Sequence, residues 1–322
     1  MKNIFSSINR RNAAINFAAV AIVVGVGIWT ITSWRSPSNP PDIPFAPLED
    51  SSIKDPDNPI KVFRVDFARV EEEFPLSHTD LMKISPENIA VLSAEQIDQI
   101  YGRITTGPIP DGPYEGNVFV GLGNNLQNRI NGIIGGIEGR VVGEGINVLE
   151  KIGRRIWKGK HFYREERVVR NFIENYVPLR AVIDNPSTLM IATIPRHGIL
   201  SLLTPIDKVW MLFPAKLYCG QSLLDSRRES AIIDYNYNDE IVGYRENPDS
   251  LAGRNGLKIR EEIRMIRPGF YLGRMYSNRM FVAYFTLFNA DVAEREATKF
   301  AAGMPSGDDC WPGEQARRAA IK

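Results

Sequence analysis

The chain has 322 residues, of which 43% are hydrophobic, and its charges nearly cancel, with 39 lysines and arginines against 38 aspartates and glutamates. This composition is that of a folded globular protein and excludes an intrinsically disordered chain. The missing basic excess argues against a nucleic acid as a partner.

The first predicted element is a transmembrane helix at residues 13–34. This run, AAINFAAVAIVVGVGIWTITSW, contains no charged residue and is long enough to cross the hydrocarbon core as a helix. Basic residues precede it, whereas only Arg35 follows closely, which predicts a cytoplasmic N-terminus at 1–12 and export of the remainder. The alternative is a cleavable signal peptide, but the run is longer than a typical signal core and lacks a clear small-x-small cleavage site.

Residues 35–60 are rich in proline and acidic residues, which predicts an extended spacer between the membrane and the rest of the chain. Beyond the spacer we expect one soluble, β-rich domain at 61–302. It opens with KVFRVDFARVEEEF at 61–74, where the alternation of apolar and polar residues predicts a short strand.

Two helices are predicted before the main sheet. Ser93 and Gln96 have the spacing of a capping box, and isoleucines at helical spacing follow, so we expect a helix near 93–104. The next segment is rich in turn residues and leads into a short strand at 117–120. The second helix is predicted at 145–157, where apolar residues recur at helical spacing and basic residues occupy the other faces.

From about Leu189 onward, short apolar or alternating segments are separated by turn residues. Seven such segments follow one another: LMIATI, GILSLL, KVWMLFPAKLY, SAIIDYNY, KIREEIRMI, GFYLGRMY and MFVAYFTLF. The pattern is typical of an antiparallel meander, which closes into a barrel or packs its apolar face against another element. We therefore predict an α+β fold, an antiparallel β-barrel with a few flanking helices, the last near 290–302, and a loosely ordered tail at 303–322.

The two cysteines, Cys219 and Cys310, are too few for a disulfide framework. In an oxidising compartment they would pair and link the C-terminal tail to the core. The alternative, which we expect, is that Cys219 is a buried apolar residue and Cys310 a free thiol. The three histidines are scattered without ligand spacing, so we predict no metal site.

The strand KIREEIRMI supplies the candidate binding residues. Strand alternation places Arg260, Glu262 and Arg264 together on one face, and Glu261 with three apolar residues on the other. If the arginine face points into the barrel, it would hold a ligand head group, while aromatic residues such as Tyr235 and Trp210 line an apolar body. The alternative is an outward, solvated ladder of cross-strand ion pairs.

Signatures of catalysis are weak. The chain has no G-x-S-x-G motif, and the glycines of VGLGNN lack the third glycine of a dinucleotide-binding loop. Asp225, Asp234 and Glu262 would do acid and base work only if burial separated their pKa values, and sheets commonly use such groups in structural pairs. We therefore assign no catalytic residue and expect no cofactor.

Three runs resemble segments of uncharacterised bacterial membrane-anchored proteins that have a lipocalin-like β-barrel domain. These runs are GPIPDGPYEGN at 107–117, WKGKHF at 157–162 and IREEIRMIRPGFYLGRMY at 259–276. The resemblance covers most of 93–289 in order. It implies a barrel fold, but because no activity is assigned to such proteins, it implies no functional residues.

Together these features predict a single-pass protein of a bacterial inner membrane, with the main domain in the periplasm, that binds a small hydrophobic or lipid-like molecule. An alternative is an accessory structural subunit of a larger membrane protein complex, since Gly25 and Gly27 permit close helix packing in the anchor. A third hypothesis is a carboxylate-dependent enzyme acting on a lipid-like substrate. A carboxylate with a strongly raised pKa inside a pocket would favour the enzyme.

Overall fold

A computed structural model of the protein describes residues 38–47, 65–119, 156–174, 180–181, 183–194 and 207–316. Its helices are α1 (Phe67–Glu73), α2 (His78–Met82), α3 (Ala94–Arg103), α4 (Glu246–Asp249) and α5 (Ala290–Ala301). Its strands are β1 (Gly112–Phe119), β2 (Trp157–Tyr163), β3 (Val168–Glu174), β4 (Ile191–Ile194), β5 (Asp207–Gln221), β6 (Glu229–Asp234), β7 (Ile259–Arg267), β8 (Phe270–Ser277) and β9 (Met280–Phe288).

The strands form one antiparallel sheet in the order β3-β2-β1-β9-β8-β7-β6-β5-β4. Because β3 also pairs with β5, eight of the strands close into a barrel, and β4 is added alongside β5. Around the ring each strand lies beside its neighbours in sequence, which is an up-and-down arrangement. Closure pairs the sheet edges that an open meander would leave exposed. The prediction of an α+β fold with an antiparallel barrel is confirmed.

The two larger hydrophobic cores lie on the two faces of the barrel wall. The first fills the lumen and draws on every barrel strand, for example Leu217, Ile263 and Phe285. The second lies outside the wall, where α3 packs against β8 and β9 through residues such as Tyr101 and Leu272. Since strand residues alternate between these cores, both faces of β7 and β8 are buried.

Helix α3 begins as its sequence predicts. The side chains of Ser93 and Gln96 cap each other's backbone N–H groups, at 3.2 and 3.0 Å. Ile97 and Ile100, one helical turn apart, are fully buried against the barrel.

Within the predicted spacer, residues 38–47 contain no helix or strand. The backbone N–H of Ala46 in this segment donates to the side chain of Gln99 at 2.9 Å.

The prediction of a strand at 61–74 is wrong, because residues 67–73 form α1. Asp66 caps this helix by accepting hydrogen bonds from the backbone N–H groups of Ala68 and Arg69, both at 3.1 Å. A capping carboxylate satisfies donors that a strand would have needed a partner strand to satisfy. Local capping therefore outweighed the alternation pattern.

Several predicted elements lie outside the described residues. These include most of the helix predicted at 145–157, whose last residue, Trp157, instead begins β2, and the segment GILSLL at 198–203. The predicted transmembrane helix at 13–34 is also outside them. None of the helices within the described ranges has the length and hydrophobicity needed to cross a bilayer.

The expectation of unpaired cysteines is wrong, because Cys219 and Cys310 form a disulfide. This bond joins β5 to the C-terminal segment, whose Asp308 accepts a hydrogen bond from the backbone N–H of Gly107 at 2.7 Å. The backbone N–H of Trp311 donates to Glu229 at 2.9 Å. The described part of the tail predicted to be loosely ordered is therefore attached to the barrel by covalent and polar contacts.

Candidate functional site

The barrel lumen contains a cavity lined mainly by apolar side chains. Its walls include Trp157, Ile173, Phe213, Ile259, Met275 and Phe285. Three polar side chains, Asn171, Tyr235 and Glu261, also line it, as does Tyr284, whose hydroxyl donates to Asp98 of α3. The centre of a water molecule can move through about 40 Å³ of this space, which is room for about three waters. An apolar cavity with a few converging polar groups is the usual form of a small-molecule site.

A buried lysine lies directly behind the polar side of the cavity. The Lys160 side-chain nitrogen lies 2.7 Å from the Asn171 amide oxygen, 2.7 Å from the Tyr235 hydroxyl and 2.9 Å from the Glu261 carboxylate. These three oxygen atoms match the three N–H bonds of an ammonium group. Lys160 is completely buried, so its charge is balanced by Glu261 and not by water.

Aromatic rings complete the environment of this ammonium group. The Lys160 nitrogen lies 5.4 Å from the ring centroids of Trp157 and Tyr235 and 5.7 Å from that of Phe285. The rings of Trp157 and Phe285 attract the cation through their negative faces, whereas Tyr235 contacts it through its hydroxyl group. The lumen therefore holds a charged pair within a shell of apolar surface.

A β-bulge in β2 turns Lys160 toward the lumen. The pairing of β2 with β3 shifts between Trp157 and Gly159, so that Lys160 lies opposite Asn171. Without the extra residue, alternation from Trp157 would direct residues 159 and 161 inward and Lys160 outward. Gly159 permits the bulge, because its φ is 138° and a Cβ there would lie 2.0 Å from the carbonyl oxygen of Tyr114.

Glu261 reaches the lumen by ordinary strand alternation. It lies opposite Ile233 of β6, and its neighbours on the same face of β7, Ile259 and Ile263, belong to the lumen core. The sequence pattern places Glu261 on this apolar face, where one acidic residue among aliphatic ones is the signal of a functional or paired carboxylate.

Burial governs the titration of this cluster. Burial lowers the pKa of Lys160. The adjacent Glu261 carboxylate raises it in part, and the net shift is downward. Burial also raises the pKa of Tyr235 well above its ordinary value, and the charge of Glu261 raises it further. Tyr235 therefore keeps its proton at neutral pH and acts as a hydroxyl group.

The face of β7 proposed to bind a head group does not face the lumen. The completely buried Arg264 donates to the backbone carbonyl of Tyr101 in α3 at 2.9 Å and pairs with Asp225 at 3.2 Å. Glu262, also completely buried, accepts from the backbone N–H of Leu223 at 2.8 Å and pairs with Arg260. Both interpretations of this face are wrong, since it points outward and yet Glu262 and Arg264 are shielded from solvent, while Arg260 is 20% exposed. The reason is that α3 and the β5–β6 connection cover this part of the wall.

The other sequence candidates are divided between the lumen and the outer side of the barrel wall. Tyr235 lines the cavity. Trp210 is buried in the lumen core next to Ile173, its partner on β3, but is not among the residues that line the cavity. Asp234 accepts a hydrogen bond from the Tyr218 hydroxyl at 2.6 Å. The three carboxylates considered for catalysis thus take part in separate structural contacts and do not converge on the cavity.

Sequence reasoning missed Lys160, Asn171 and Glu261 as members of the site. WKGKHF alone gives no reason to prefer Lys160 over Lys158 for an inward position. The available signal was Gly159, because a glycine inside a strand often marks a bulge. A bulge at that position would have directed Lys160 toward the interior.

One group of described residues has the composition of a metal site. Cys219, Cys310 and Glu229 offer ligand atoms that all lie within 4.8 Å of one another. The disulfide uses both sulfur atoms, and thiolates rather than disulfide sulfurs bind metals. The group is therefore a structural junction between β5, β6 and the C-terminal segment.

A buried carboxylate with a raised pKa lies beside the cavity. Asp249 of α4 accepts hydrogen bonds from the backbone N–H groups of Phe213, a cavity residue, at 2.7 Å and of Arg245 at 2.9 Å. Burial raises its pKa from 3.8 to about 6, against the opposing effect of these bonds and of the nearby charge of Arg170. Asp249 itself does not line the cavity, so it lacks the position required of a catalytic acid.

This carboxylate should make stability depend on pH. A group whose pKa is raised on folding contributes stability that is complete below its unfolded pKa, here 3.8, and is lost as pH rises through the folded value of about 6. We compare the free energy of unfolding of the wild type with that of Asp249→Asn. We expect the difference, wild type minus variant, to be about 2 kcal/mol larger at pH 4 than at pH 7. Denaturant unfolding of both proteins across this range measures the difference. A difference that stays constant or grows with pH would contradict the assignment.

Comparison of the chain with protein-family models, with curated proteins and with solved structures finds no match.

Proposed function

We propose that the protein is a membrane-anchored β-barrel that binds a small, mainly apolar molecule with one polar group. The observation that carries the proposal is the lumen cavity, in which Asn171, Tyr235 and Glu261 converge within apolar walls. Up-and-down barrels commonly use the lumen in this way, and lipocalins are an example. The proposed kinship with lipocalin-like bacterial proteins rests on this topology and on the sequence resemblance.

The size of the cavity limits what enters it. With about 40 Å³ open to the centre of a water molecule, the cavity accepts a compact ligand or one end of a longer, lipid-like molecule. The polar group of the ligand would lie beside Glu261, and its apolar part would contact residues such as Met275 and Phe285. This arrangement replaces the head-group site first expected at Arg264.

Two features support an exoplasmic, periplasmic position for the barrel. The Cys219–Cys310 disulfide is typical of an oxidising compartment. The uncharged run at 13–34, with basic residues before it, supports an inner-membrane anchor that leaves the N-terminus in the cytoplasm.

Native mass spectrometry of the full-length protein, purified gently from its own membrane and extracted with organic solvent, tests the binding proposal. We expect a small molecule in stoichiometric amount. It should be lost in Ala283→Leu, which fills the cavity from β9, and kept in Tyr218→Phe, which removes a partly exposed hydroxyl outside the cavity. An empty wild-type lumen, or equal occupancy in Ala283→Leu, would contradict the proposal.

A second candidate function is an accessory subunit of a membrane protein complex. The observation that favours it is the small cavity, because most of the lumen is filled by the protein's own side chains. The same purification distinguishes the two functions. Fixed amounts of other membrane proteins, retained in Ala283→Leu, together with an empty lumen would support the accessory subunit.

A further inference from the structure

Two of the polar side chains in the cavity have already used their hydrogen-bonding capacity. The Asn171 amide oxygen accepts from the indole N–H of Trp157 at 2.9 Å and from Lys160 at 2.7 Å. Its amide nitrogen donates to a backbone carbonyl and to the Tyr235 hydroxyl, both at 3.0 Å. The Tyr235 oxygen accepts from Lys160 and Asn171, and the hydroxyl donates its proton to Glu261 Oε2, with 3.3 Å between the two oxygens.

The remaining polar side chain, Glu261, keeps one oxygen atom for a ligand. Its Oε2 atom faces both Lys160 and Tyr235. Its Oε1 atom receives no hydrogen bond from any residue within the described ranges, although the side chain is only 9% exposed and lines the cavity. A carboxylate oxygen only accepts hydrogen bonds. The matching ligand group is therefore a donor, such as a hydroxyl or a neutral N–H.

The net charge at the cavity restricts the ligand further. The positive charge of Lys160 and the negative charge of Glu261 cancel, and Glu261 is the one charged side chain among the described residues that line the cavity. A charged ligand would bring an unbalanced charge into an apolar enclosure, which is costly. A neutral ligand avoids that cost.

From these contacts we infer that the cavity selects a neutral hydrogen-bond donor, with an alcohol as the representative class, and rejects carboxylates and amines. The hydroxyl donates to Glu261 Oε1, and the apolar part of the ligand lies against Met275 and Phe285. This inference rests on the proposed binding function and adds the chemical class of the ligand. It excludes fatty acids, which are anionic at neutral pH.

Four probes of similar size separate the relevant interactions. Butan-1-ol donates a hydrogen bond, its isomer 1-methoxypropane only accepts one, butyrate carries a negative charge and butylammonium a positive charge. Each is titrated into the full-length protein in phospholipid nanodiscs, with methionine methyl groups labelled with carbon-13. The methyl signal of Met275 reports binding in the lumen, because Met275 lines the cavity. Met275→Leu identifies that signal.

We expect butan-1-ol to bind about fivefold more tightly than 1-methoxypropane, the value of one net hydrogen bond. The two charged probes should bind at least about 30-fold more weakly than the alcohol. In the double variant Lys160→Met with Glu261→Leu, the preference for the alcohol over the ether should disappear. This loss would assign the preference to the Lys160–Glu261 pair.

The results separate failure of this inference from failure of the binding function. The ligand class would be overturned if the alcohol and the ether bound equally, or if butyrate or butylammonium bound as tightly as the alcohol. The proposed binding function would not be affected by either result. If none of the four probes shifts the Met275 signal, both the ligand class and the binding function are overturned.

Discussion

Replacing Lys160 with methionine should lower the free energy of unfolding by about 3–5 kcal/mol, because it leaves the Glu261 carboxylate buried without its counterion. The carboxylate lies 2.9 Å from the lysine nitrogen, and both side chains are at least nine-tenths buried, so water cannot replace the missing charge. Glu261→Leu should cost a similar amount, since it leaves the ammonium group unpaired. Urea unfolding followed by tryptophan fluorescence measures both effects.

The double variant should be much more stable than the sum of the two single losses predicts. When both charges are removed, no unpaired ion remains, and apolar side chains of similar size can occupy the lumen. The matched control is Lys216→Met, which breaks an ion pair with Glu240 whose side chains are 40% and 49% exposed. It should change stability by less than about 1 kcal/mol. A Lys160→Met protein as stable as Lys216→Met would show that the buried pair does not exist.

Arg264→Met should also lower the free energy of unfolding by about 3–5 kcal/mol, since it removes the buried guanidinium whose hydrogen bonds join the barrel wall to α3. All five N–H bonds of this completely buried guanidinium are used. They donate to the Ser230 hydroxyl at 2.9 Å, the Tyr101 carbonyl at 2.9 Å, the Asp225 carboxylate at 3.2 Å, and the Asp225 and Arg228 carbonyls, each at 3.0 Å. Loss of the side chain removes the donor to three buried backbone carbonyls. The Asp225 carboxylate keeps its bonds from Arg227, and the Ser230 hydroxyl keeps its bond with the Tyr101 hydroxyl.

A lysine at position 264 separates the effect of charge from that of geometry. Arg264→Lys keeps the charge but provides only three donors from a single point, so it should lose most of the same stability. Arg295→Lys on α5, where the arginine side chain is 65% exposed, is the control and should be nearly neutral. Wild-type stability in Arg264→Lys would mean that the charge opposite Asp225 suffices and the five directed bonds do not matter.

These two buried charges have different roles because they lie on opposite sides of the same wall. Arg264 is enclosed between the wall and α3 and does not line the lumen cavity, so its substitution should affect stability first. Lys160 adjoins the cavity and fixes the orientation of Asn171, Tyr235 and Glu261. Changes at Lys160 should therefore alter both stability and ligand preference.

The amino-acid sequence by itself determined the features that depend on near neighbours in the chain. Ser93 and Gln96 specify the start of α3, and the alternating segments after residue 206 specify β5 to β9, because capping and strand periodicity need only a few adjacent residues. The same segments predicted a barrel, since an open meander would leave an apolar face and two edges exposed. The observed ring, however, closes through β1, β2 and β3, and of these the sequence predicted only the end of β1 as a strand.

Only the tertiary structure decided which face of each strand is the lumen and which residues meet there. Alternation groups Arg264 with Glu262 but does not distinguish inside from outside when α3 buries the outer face as well. The bulge before Gly159 reverses the direction of Lys160, and the pairing of Cys219 with Cys310 joins residues 91 positions apart. These outcomes depend on contacts between distant segments, which no local pattern in the chain encodes.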